Sequence, residues 1–258
     1  MNHFKDSLLQ QTKNAPLLSF VVVVFNMPRQ AMNTLYSLSA QHQQNIQECD
    51  YEIIVIENQS KNNLIADNVY KLGKNLRYFL REETSQSPVG AINFGLEKAR
   101  ADHICLMVDG ARMVTPRVVE YALMAIRSNT NALIAVPGYS LGWQDQHHHI
   151  DAQYDEAQEI ALLENCHWQQ NGYRLFDIAT ISGANPNGFM NPLMECNCVM
   201  AAASHFTAIG GANIDFQLPG GGSINLHMFR QLGLLPDNAP YFLMAGEGSF
   251  HQYHGGIT

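Results

Sequence analysis

Hydrophobic residues follow two different spacings along the first 110 positions of the chain. A continuous, Val-rich run at 17–24 is typical of a strand buried on both faces, and shorter apolar runs follow at 53–56, 76–80 and 104–108. Between these runs, apolar residues recur every three or four positions, which predicts a helix after each strand. Strands that alternate with helices predict an α/β fold with a mostly parallel, mixed central sheet flanked by helices.

The pattern is less regular in the second half of the chain. Strands are predicted at 133–136, 198–203 and 241–244. From about 137 to 192 the periodicity weakens, which predicts a long irregular insert of the kind that often carries binding loops. Neither an internal repeat nor a linker composition interrupts the sequence, so we expect a single domain over 1–258.

Composition and charge narrow the class of partner. The 258 residues carry 15 Lys and Arg against 23 Asp and Glu, a formal net charge of −8, and no basic stripe. Because binding to a phosphate backbone needs clustered cations, a nucleic-acid partner is not predicted. Five cysteines cannot all pair, which favours a reducing, cytoplasmic compartment. No apolar run approaches the roughly 20 residues of a transmembrane helix, although peripheral membrane contact is compatible with the sequence.

Polar residues stand where the predicted strands end. Asn26 follows the first strand, Glu57 and Asn58 the second, and Asp109 the fourth. Because the carboxyl ends of parallel strands meet at one edge, where α/β sheets bind ligands, we expect these side chains along that edge. Asn26 also lies two residues before Pro28, which predicts that it caps the first helix.

Four short motifs follow one another in the first half of the chain: Phe25-Asn26, Glu57-Asn58, Asn93-Phe94-Gly95 and Asp109-Gly110-Ala111. Over roughly the first 135 residues this order resembles family 2 glycosyltransferases with a GT-A fold. In that family the first strand ends in a Tyr-Asn-like pair, the second in an acidic pair, and a later strand in an Asp-x-Asp motif. The C-terminal segments, among them Gly210-Gly211 and the stretch 247–256, look like those of a narrower group of such proteins.

The resemblance implies a donor half and an acceptor half within one GT-A domain. Residues 17–112 would hold a nucleotide diphosphate sugar, UDP-linked by preference, and 113–258 would hold a carbohydrate or another hydroxyl acceptor. The donor-binding residues implied by the motifs are Phe25, Asn26, Glu57, Asn93, Asp109 and Arg112. Taken alone, Glu57 and Asn58 could equally begin a turn, and Arg112 could equally be a surface residue. Since related proteins continue past a segment like 247–256, we expect part of the acceptor site to lie beyond this chain.

A divalent cation, Mn²⁺ or Mg²⁺, normally neutralises the diphosphate leaving group in such enzymes. Here Ala111 replaces the second acid, so Asp109 is the only carboxylate of its motif. Several metal-dependent GT-A enzymes complete the site with a late His, and His251 and His254 fall in that part of the chain. We therefore predict a metal site of these three residues, although the histidines could equally lie on the surface or cap the core. Arg112 could instead neutralise phosphate directly.

A general base is harder to assign. The family's usual acidic positions correspond here to Asn213-Ile214 and Gly222-Ser223, which carry no acid. The remaining candidates are Glu195, which precedes the strand beneath the acceptor site, then Asp215, and then Glu247. Each of them alone could be a turn or cap carboxylate, and a retaining reaction without an enzymic base also fits.

Two other functions compete with an active glycosyltransferase. The missing acids would also suit a catalytically inactive protein that binds nucleotide sugars. A nucleotidyltransferase is disfavoured, because the loop after the first strand, 25–29, contains no glycine. Trp143 and Trp168 are compatible with a sugar-stacking surface or with an ordinary core.

Overall fold

The structure, a computed structural model, describes residues 15–83, 85–143, 154–185, 187–191, 193–194, 196–235 and 240–254. The strands are β1 (Leu18–Val24), β2 (Tyr51–Asn58), β3 (Leu76–Arg81), β4 (His103–Met107), β5 (Arg112–Val114), β6 (Leu133–Ala135), β7 (Gly138–Leu141), β8 (Ala179–Ile181), β9 (Val199–Ala202), β10 (Tyr241–Leu243) and β11 (Ser249–His251). The helices are α1 (Pro28–Leu38), α2 (Ala66–Tyr70), α3 (Val89–Lys98), α4 (Val118–Ser128), α5 (Glu156–Cys166), α6 (Ala203–Ala208) and α7 (Ile224–Gly233).

A seven-stranded sheet in the order β10-β6-β9-β4-β1-β2-β3 forms the centre of the fold. Strand β9 is antiparallel to both of its neighbours, and the other pairs are parallel, which confirms the predicted mixed, mostly parallel sheet. The Val-rich run of β1 is buried on both faces. Val22 and Val24 pack into the core under α1 and α4, whereas Val21 and Val23 pack into the core under α3 and α7.

A second, four-stranded sheet in the order β5-β11-β7-β8 was not predicted from the sequence. Its strands are only three or four residues long, too short to show a period of two. Strand β11 lies between β5, to which it is antiparallel, and β7, to which it is parallel. The sheet therefore brings the C-terminal part of the chain next to the segment that directly follows β4.

Three local predictions need correction. The stretch 137–192 is not irregular throughout, because it contains β7, α5 and β8. Helix α5 was not predicted, because few of its residues are buried and one of the buried residues is an acid, Glu159. Helix α7 was missed although Ile224, Met228 and Leu232 are buried at four-residue spacing. Helix α1 begins after Met27 without a side-chain cap, while Asn26 adopts a left-handed φ of 54°.

Among the described residues, no helix is both long enough and apolar enough to cross a membrane.

Candidate metal and donor site

The candidate site lies where the two sheets meet. Asp109 stands between β4 and β5, and the register of the second sheet places His251 of β11 opposite Arg112 of β5. Gly110 makes this turn possible, because a Cβ there would lie 2.8 Å from the carbonyl oxygen of Val23. The chain can therefore pass directly over the end of β1 and return as β5.

Asp109, His251 and His254, which we call the Asp-His-His cluster, bring three potential ligand atoms together, as predicted. The Oδ2 atom of Asp109 lies 2.8 Å from Nε2 of His251 and 3.7 Å from Nε2 of His254. The two Nε2 atoms lie 3.0 Å apart. All three side chains are largely buried, between 11% and 19% exposed.

These distances fit the donor set of a divalent cation. With bonds of about 2.1 Å, adjacent ligands of an octahedral ion lie about 3 Å apart, which matches two of the three separations, while the 3.7 Å between Asp109 and His254 is longer. One carboxylate and two imidazoles suit Mn²⁺ better than Mg²⁺, which prefers oxygen ligands.

The protonation states of Asp109 and His251 support the same role, whereas the pKa of His254 is raised: burial lowers it, but the charge of Asp109 outweighs that effect. Burial disfavours the charged form of Asp109, but His251 and His254 outweigh it and hold the pKa of the carboxyl well below its usual range. Burial, reinforced by the positive charge of Arg112, lowers the pKa of His251 to about 4. At neutral pH the cluster thus combines a carboxylate with an uncharged His251 imidazole, the forms that bind metal ions.

The C-terminal segment that carries both histidines is fixed by buried hydrogen bonds to helix α1. Gln252 is fully buried; its Nε2 donates to the carbonyl oxygen of Gln30 at 2.9 Å and its Oε1 accepts from Asn33 at 2.9 Å. The backbone N–H of Gln252 donates to the carbonyl oxygen of Ala111 at 2.9 Å. Gln252, which directly follows His251, therefore attaches this segment to both α1 and the Asp109 turn.

Helix α5 holds the same segment from its other side. Glu159, which is fully buried, accepts hydrogen bonds from the backbone N–H of Tyr253 and from Nη2 of Arg29 at 2.9 Å. Gln30 donates to the carbonyl oxygen of Tyr253 at 2.7 Å. The sequence pattern did not indicate these supporting residues, because Arg29 and Gln30 look like surface residues of a helix and Glu159 lies in the stretch that was predicted to be irregular.

Arg112 contacts the cluster and also lines a small polar pocket beside it. Its Nε donates to Oδ2 of Asp109 at 3.3 Å, and its side chain is 11% exposed. In the described part of the chain, the Nη groups of Arg112 have no hydrogen-bond acceptor. Asn185 and Ser249 also line the pocket. Arg112 is thus placed to neutralise an anion beside the cluster, and sequence analysis missed the two polar neighbours.

Glu57 and Asn58 interact with the protein's own loops. The Glu57 carboxylate is fully buried and accepts hydrogen bonds from the backbone N–H of Leu64 at 3.0 Å and from the Tyr78 hydroxyl at 2.5 Å. Burial raises the pKa of Glu57. Asn58 donates to the carbonyl oxygen of Ser85 at 3.0 Å. The structure therefore favours the turn-forming interpretation of Glu57, which shapes the loop at the end of β2.

Asn93 similarly ties helix α3 to a loop. Its amide donates to the carbonyl oxygen of Ala212 at 2.9 Å and accepts from the N–H of the same residue at 2.8 Å. Gly211 has a φ of 70°, and a Cβ there would lie 2.7 Å from Oδ1 of Asn93. The Asn-x-Gly and Gly-Gly motifs are therefore in contact, and this contact attaches the loop to α3. Donor contact by Asn93 stays a prediction.

Phe25 and Asn26 end β1 close to the loop after β2. Phe25 is half-buried and Asn26 is exposed, with its Oδ1 3.3 Å from Nδ2 of Asn62. These two residues therefore keep the accessibility that contact with a nucleotide requires.

The structure brings none of the candidate bases into contact with the cluster within the described residues. Glu195 lies outside the described residues. Asp215 is exposed on the loop that follows Ala212. Glu247 is buried and accepts hydrogen bonds from the Tyr173 hydroxyl at 2.8 Å and from a backbone N–H, which gives it a structural role.

The two tryptophans differ sharply in exposure. Trp168 is buried and packs edge-on against Tyr36 and His42, so it belongs to a core. Trp143 is 62% exposed and contacts Tyr154, which in turn contacts Tyr253 beside the cluster. Only Trp143 keeps the accessibility that sugar stacking requires.

Comparisons with known proteins bear on this site. The family model described as "Glycosyl transferase family 2" matches residues 19–181, more than half of the chain. A search of curated proteins found no significant match.

Among solved structures, the fold is similar to that of TarS from S. aureus, with a TM-score of 0.62 and 10% sequence identity over 92% of this chain. Structures of TarS 1–349 with UDP and with UDP-GlcNAc give TM-scores of 0.61 and 0.60 at 10% and 12% identity, over 92% and 93% of this chain. The chain spans 36% of the length of the first TarS structure and 60% and 59% of the other two. At these identities the likeness is one of fold.

Proposed function

Because this chain belongs to glycosyl transferase family 2, we propose that it transfers a hexosyl group from a UDP-linked donor to a hydroxyl group of a carbohydrate or other acceptor. The observation that carries the proposal is the convergence of one carboxylate and two imidazole nitrogens in the Asp-His-His cluster. The choice of donor is supported by the fold shared with TarS, whose structures were determined with UDP and with UDP-GlcNAc.

In this proposal Asp109, His251 and His254 hold Mn²⁺, or less favourably Mg²⁺. The cation, when bound, would neutralise negative charge on the diphosphate leaving group. Arg112 adds a permanent positive charge next to the cluster and can donate its Nη hydrogens to a phosphate oxygen. Phe25 and Asn26 would contact the nucleotide, whereas Glu57 and Asn93 would act by fixing the loops that surround it.

The acceptor side is proposed on fewer observations. Glu195 and Asp215 remain the candidate bases, and the exposed position of Asp215 would allow an acceptor to reach it. The exposed face of Trp143 offers a stacking surface for a sugar ring. Replacing Asp215 by Asn should lower the transfer rate without changing donor affinity if this carboxylate is the base.

The donor site can be tested by thermal unfolding with UDP and Mn²⁺. A ligand present at a hundred times its Kd should raise the Tm of a chain of this size by roughly 5–10 °C. We expect this gain for the unmodified protein and its loss in Asp109→Asn, because the amide removes the only anionic ligand. Asp102→Asn, at an exposed position before β4, is the matched control and should keep the gain.

A Tm that UDP and GDP leave unchanged, each with and without Mn²⁺, would contradict the donor site. His251→Ala and His254→Ala should each weaken the Mn²⁺-dependent part of the gain, whereas His205→Ala on α6 should not. A gain that needs UDP but is indifferent to Mn²⁺ and to both histidines would remove the metal from the proposal and leave Arg112 as the neutralising charge.

A protein that binds nucleotide sugars without transferring them is the second candidate. It is favoured by Ala111 in place of the second acid, and by the lack of a base in contact with the cluster within the described residues. Slow hydrolysis of the donor distinguishes the two, because an active site should release UDP in the presence of Mn²⁺. Hydrolysis that disappears in Asp109→Asn would exclude the inactive protein.

We also propose a reducing, cytoplasmic location. Cys49, Cys105, Cys166, Cys196 and Cys198 are all free thiols in the structure. The Sγ atoms of Cys105 and Cys198 lie 3.7 Å apart in the core as an S–H···S contact, and no disulfide joins them. Thiols so close together persist best where oxidation is suppressed.

A further inference from the structure

Beside the Asp-His-His cluster lies a small polar pocket with two buried, unpartnered atoms. Ser249 is the first residue of β11, and Asn185 follows β8 in a turn; they are 1% and 4% exposed. Among the described residues, neither Oγ of Ser249 nor Oδ1 of Asn185 has a hydrogen-bond partner. A buried polar atom without a partner is costly, and two in one place indicate a partner from outside the chain.

The size of the pocket limits what can enter it. It encloses about 10 Å³, which is room for about one water-sized group. Gly138 of β7 forms one wall, since it pairs with Ser249 and a Cβ on it would lie 3.5 Å from Nδ2 of Asn185. The pocket therefore accepts a single polar group, and a methyl group on Gly138 would crowd it.

The pocket and the cluster lie on the same face of the small sheet. Ser249 and His251 are two residues apart in β11, so their side chains point to the same side and are separated by about 7 Å along the strand. Arg112 reaches both, because its side chain lines the pocket and its Nε contacts Asp109. A sugar attached to a diphosphate on the cluster would thus have one of its ring positions beside the pocket.

The hydrogen-bonding capacities of Asn185, Arg112 and Ser249 favour a hydroxyl group as the ligand of the pocket. Oδ1 of Asn185 can only accept a hydrogen bond, Arg112 can only donate, and Ser249 can do either. A hydroxyl satisfies all three at once, because it donates one hydrogen and accepts on its oxygen. An anionic oxygen would leave Asn185 unsatisfied.

We propose that Asn185, Ser249 and Arg112 form a subsite that binds one hydroxyl group of the transferred sugar, and so contributes to the choice of donor. The proposal rests on the proposed function, because the sugar must arrive attached to a nucleotide bound at the cluster.

The test is calorimetric binding of UDP, UDP-glucose, UDP-galactose and UDP-GlcNAc with Mn²⁺ and without acceptor, followed by the monodeoxy analogues of the tightest donor. We expect one deoxy analogue to bind at least about tenfold more weakly than its parent, because it leaves buried polar atoms unpaired. Ser249→Ala and Asn185→Ala should bind parent and analogue equally, with unchanged affinity for UDP. Gly138→Ala, which keeps both side chains, should weaken the parent sugar but not UDP.

Asn187→Ala, at an exposed position two residues from Asn185, is the control and should keep the full discrimination. If UDP sugars bind but every deoxy analogue binds like its parent, the pocket holds only a structural water and this inference is overturned, while the proposed function stands. The same holds if discrimination survives in Ser249→Ala and Asn185→Ala. If UDP itself does not bind, both proposals fall.

Discussion

A single carboxylate in place of the usual two changes how charge is balanced at the candidate site. Asp109 gains its low pKa from two histidines that lie far away in the sequence, and Arg112 adds a cation at 3.3 Å. Removing one of these side chains should therefore alter the charge that the others experience. The effects of combined substitutions at these positions should not be additive.

Another buried imidazole provides a prediction about stability at the residue scale. His42 is 7% exposed and packs against Trp168 and Tyr36, and its Nε2 has no partner in the described part of the chain. Burial lowers its pKa to about 4 from an ordinary value of 6.5, against the opposing effect of a backbone hydrogen bond at Val114. As the pH falls below 6.5, the unfolded chain takes up a proton on His42 before the folded protein does. The contribution of the uncharged imidazole to the free energy of unfolding is therefore complete above pH 6.5 and is lost as the pH falls towards 4.

We expect His42→Phe to remove this part of the acid sensitivity, about 3 kcal/mol between pH 6.5 and 4. The measurement is the free energy of unfolding in urea at both pH values for the variant and the unmodified protein. His167→Phe, at an exposed position, is the control. An equal loss of stability in the variant and the unmodified protein would show that His42 takes no part.

At the scale of elements, the candidate site depends on a strand of three residues. Strand β11 is held between β5 and β7, and the residues that follow it are fastened to α1 and α5. Sequence periodicity predicted the long strands β1 and β2 directly, because each buries seven or eight consecutive residues. It could not predict β5 or β11, whose ends are fixed by contacts with distant segments.

The attachment of the segment after β11 to α1 can be tested by substituting Gln252. In Gln252→Glu a carboxylate would replace the amide that donates to the carbonyl oxygen of Gln30, and a buried charge would lie among acceptors. We expect a loss of at least about 2 kcal/mol in the free energy of unfolding, and a smaller Tm gain from UDP with Mn²⁺. Gln169→Glu, which is exposed, should change neither quantity. A variant with unchanged stability and unchanged gain would show that the histidines are positioned by other contacts.

At the scale of the whole molecule, residues from both halves of the chain build the candidate site. The motif order predicted the fold and Asp109, and resemblance to a family, not spacing, predicted His251 and His254. The supporting residues Glu159 and Gln252 were beyond sequence reasoning, because their importance arises only when α5 and the C-terminal segment pack on α1. The division into donor and acceptor halves at 112 stays a prediction, and the C-terminal position of both histidines means that neither half alone contains the whole Asp-His-His cluster.

The contact between α5 and α1 offers a test at this scale. In Glu159→Gln the charge partner of Arg29 and the acceptor for Tyr253 are weakened together. We expect a loss of about 2 kcal/mol, below the 3–5 kcal/mol of a fully buried pair, because Arg29 is 26% exposed. Glu156→Gln neutralises the other carboxylate beside Arg29, at 2.6 Å and 51% exposed, and should cost under about 1 kcal/mol. The measurement is the free energy of unfolding of both variants in denaturant. Equal losses in Glu159→Gln and Glu156→Gln would contradict the special role of Glu159.

The packing around Ala111 has an evolutionary consequence. Ala111 is fully buried, and its carbonyl oxygen accepts from the N–H of Gln252. An aspartate at this position would place a carboxylate inside the protein, so acquiring the two-carboxylate motif by this one substitution should lower stability. Any route from this sequence to the common motif would therefore pass through a variant that folds less well.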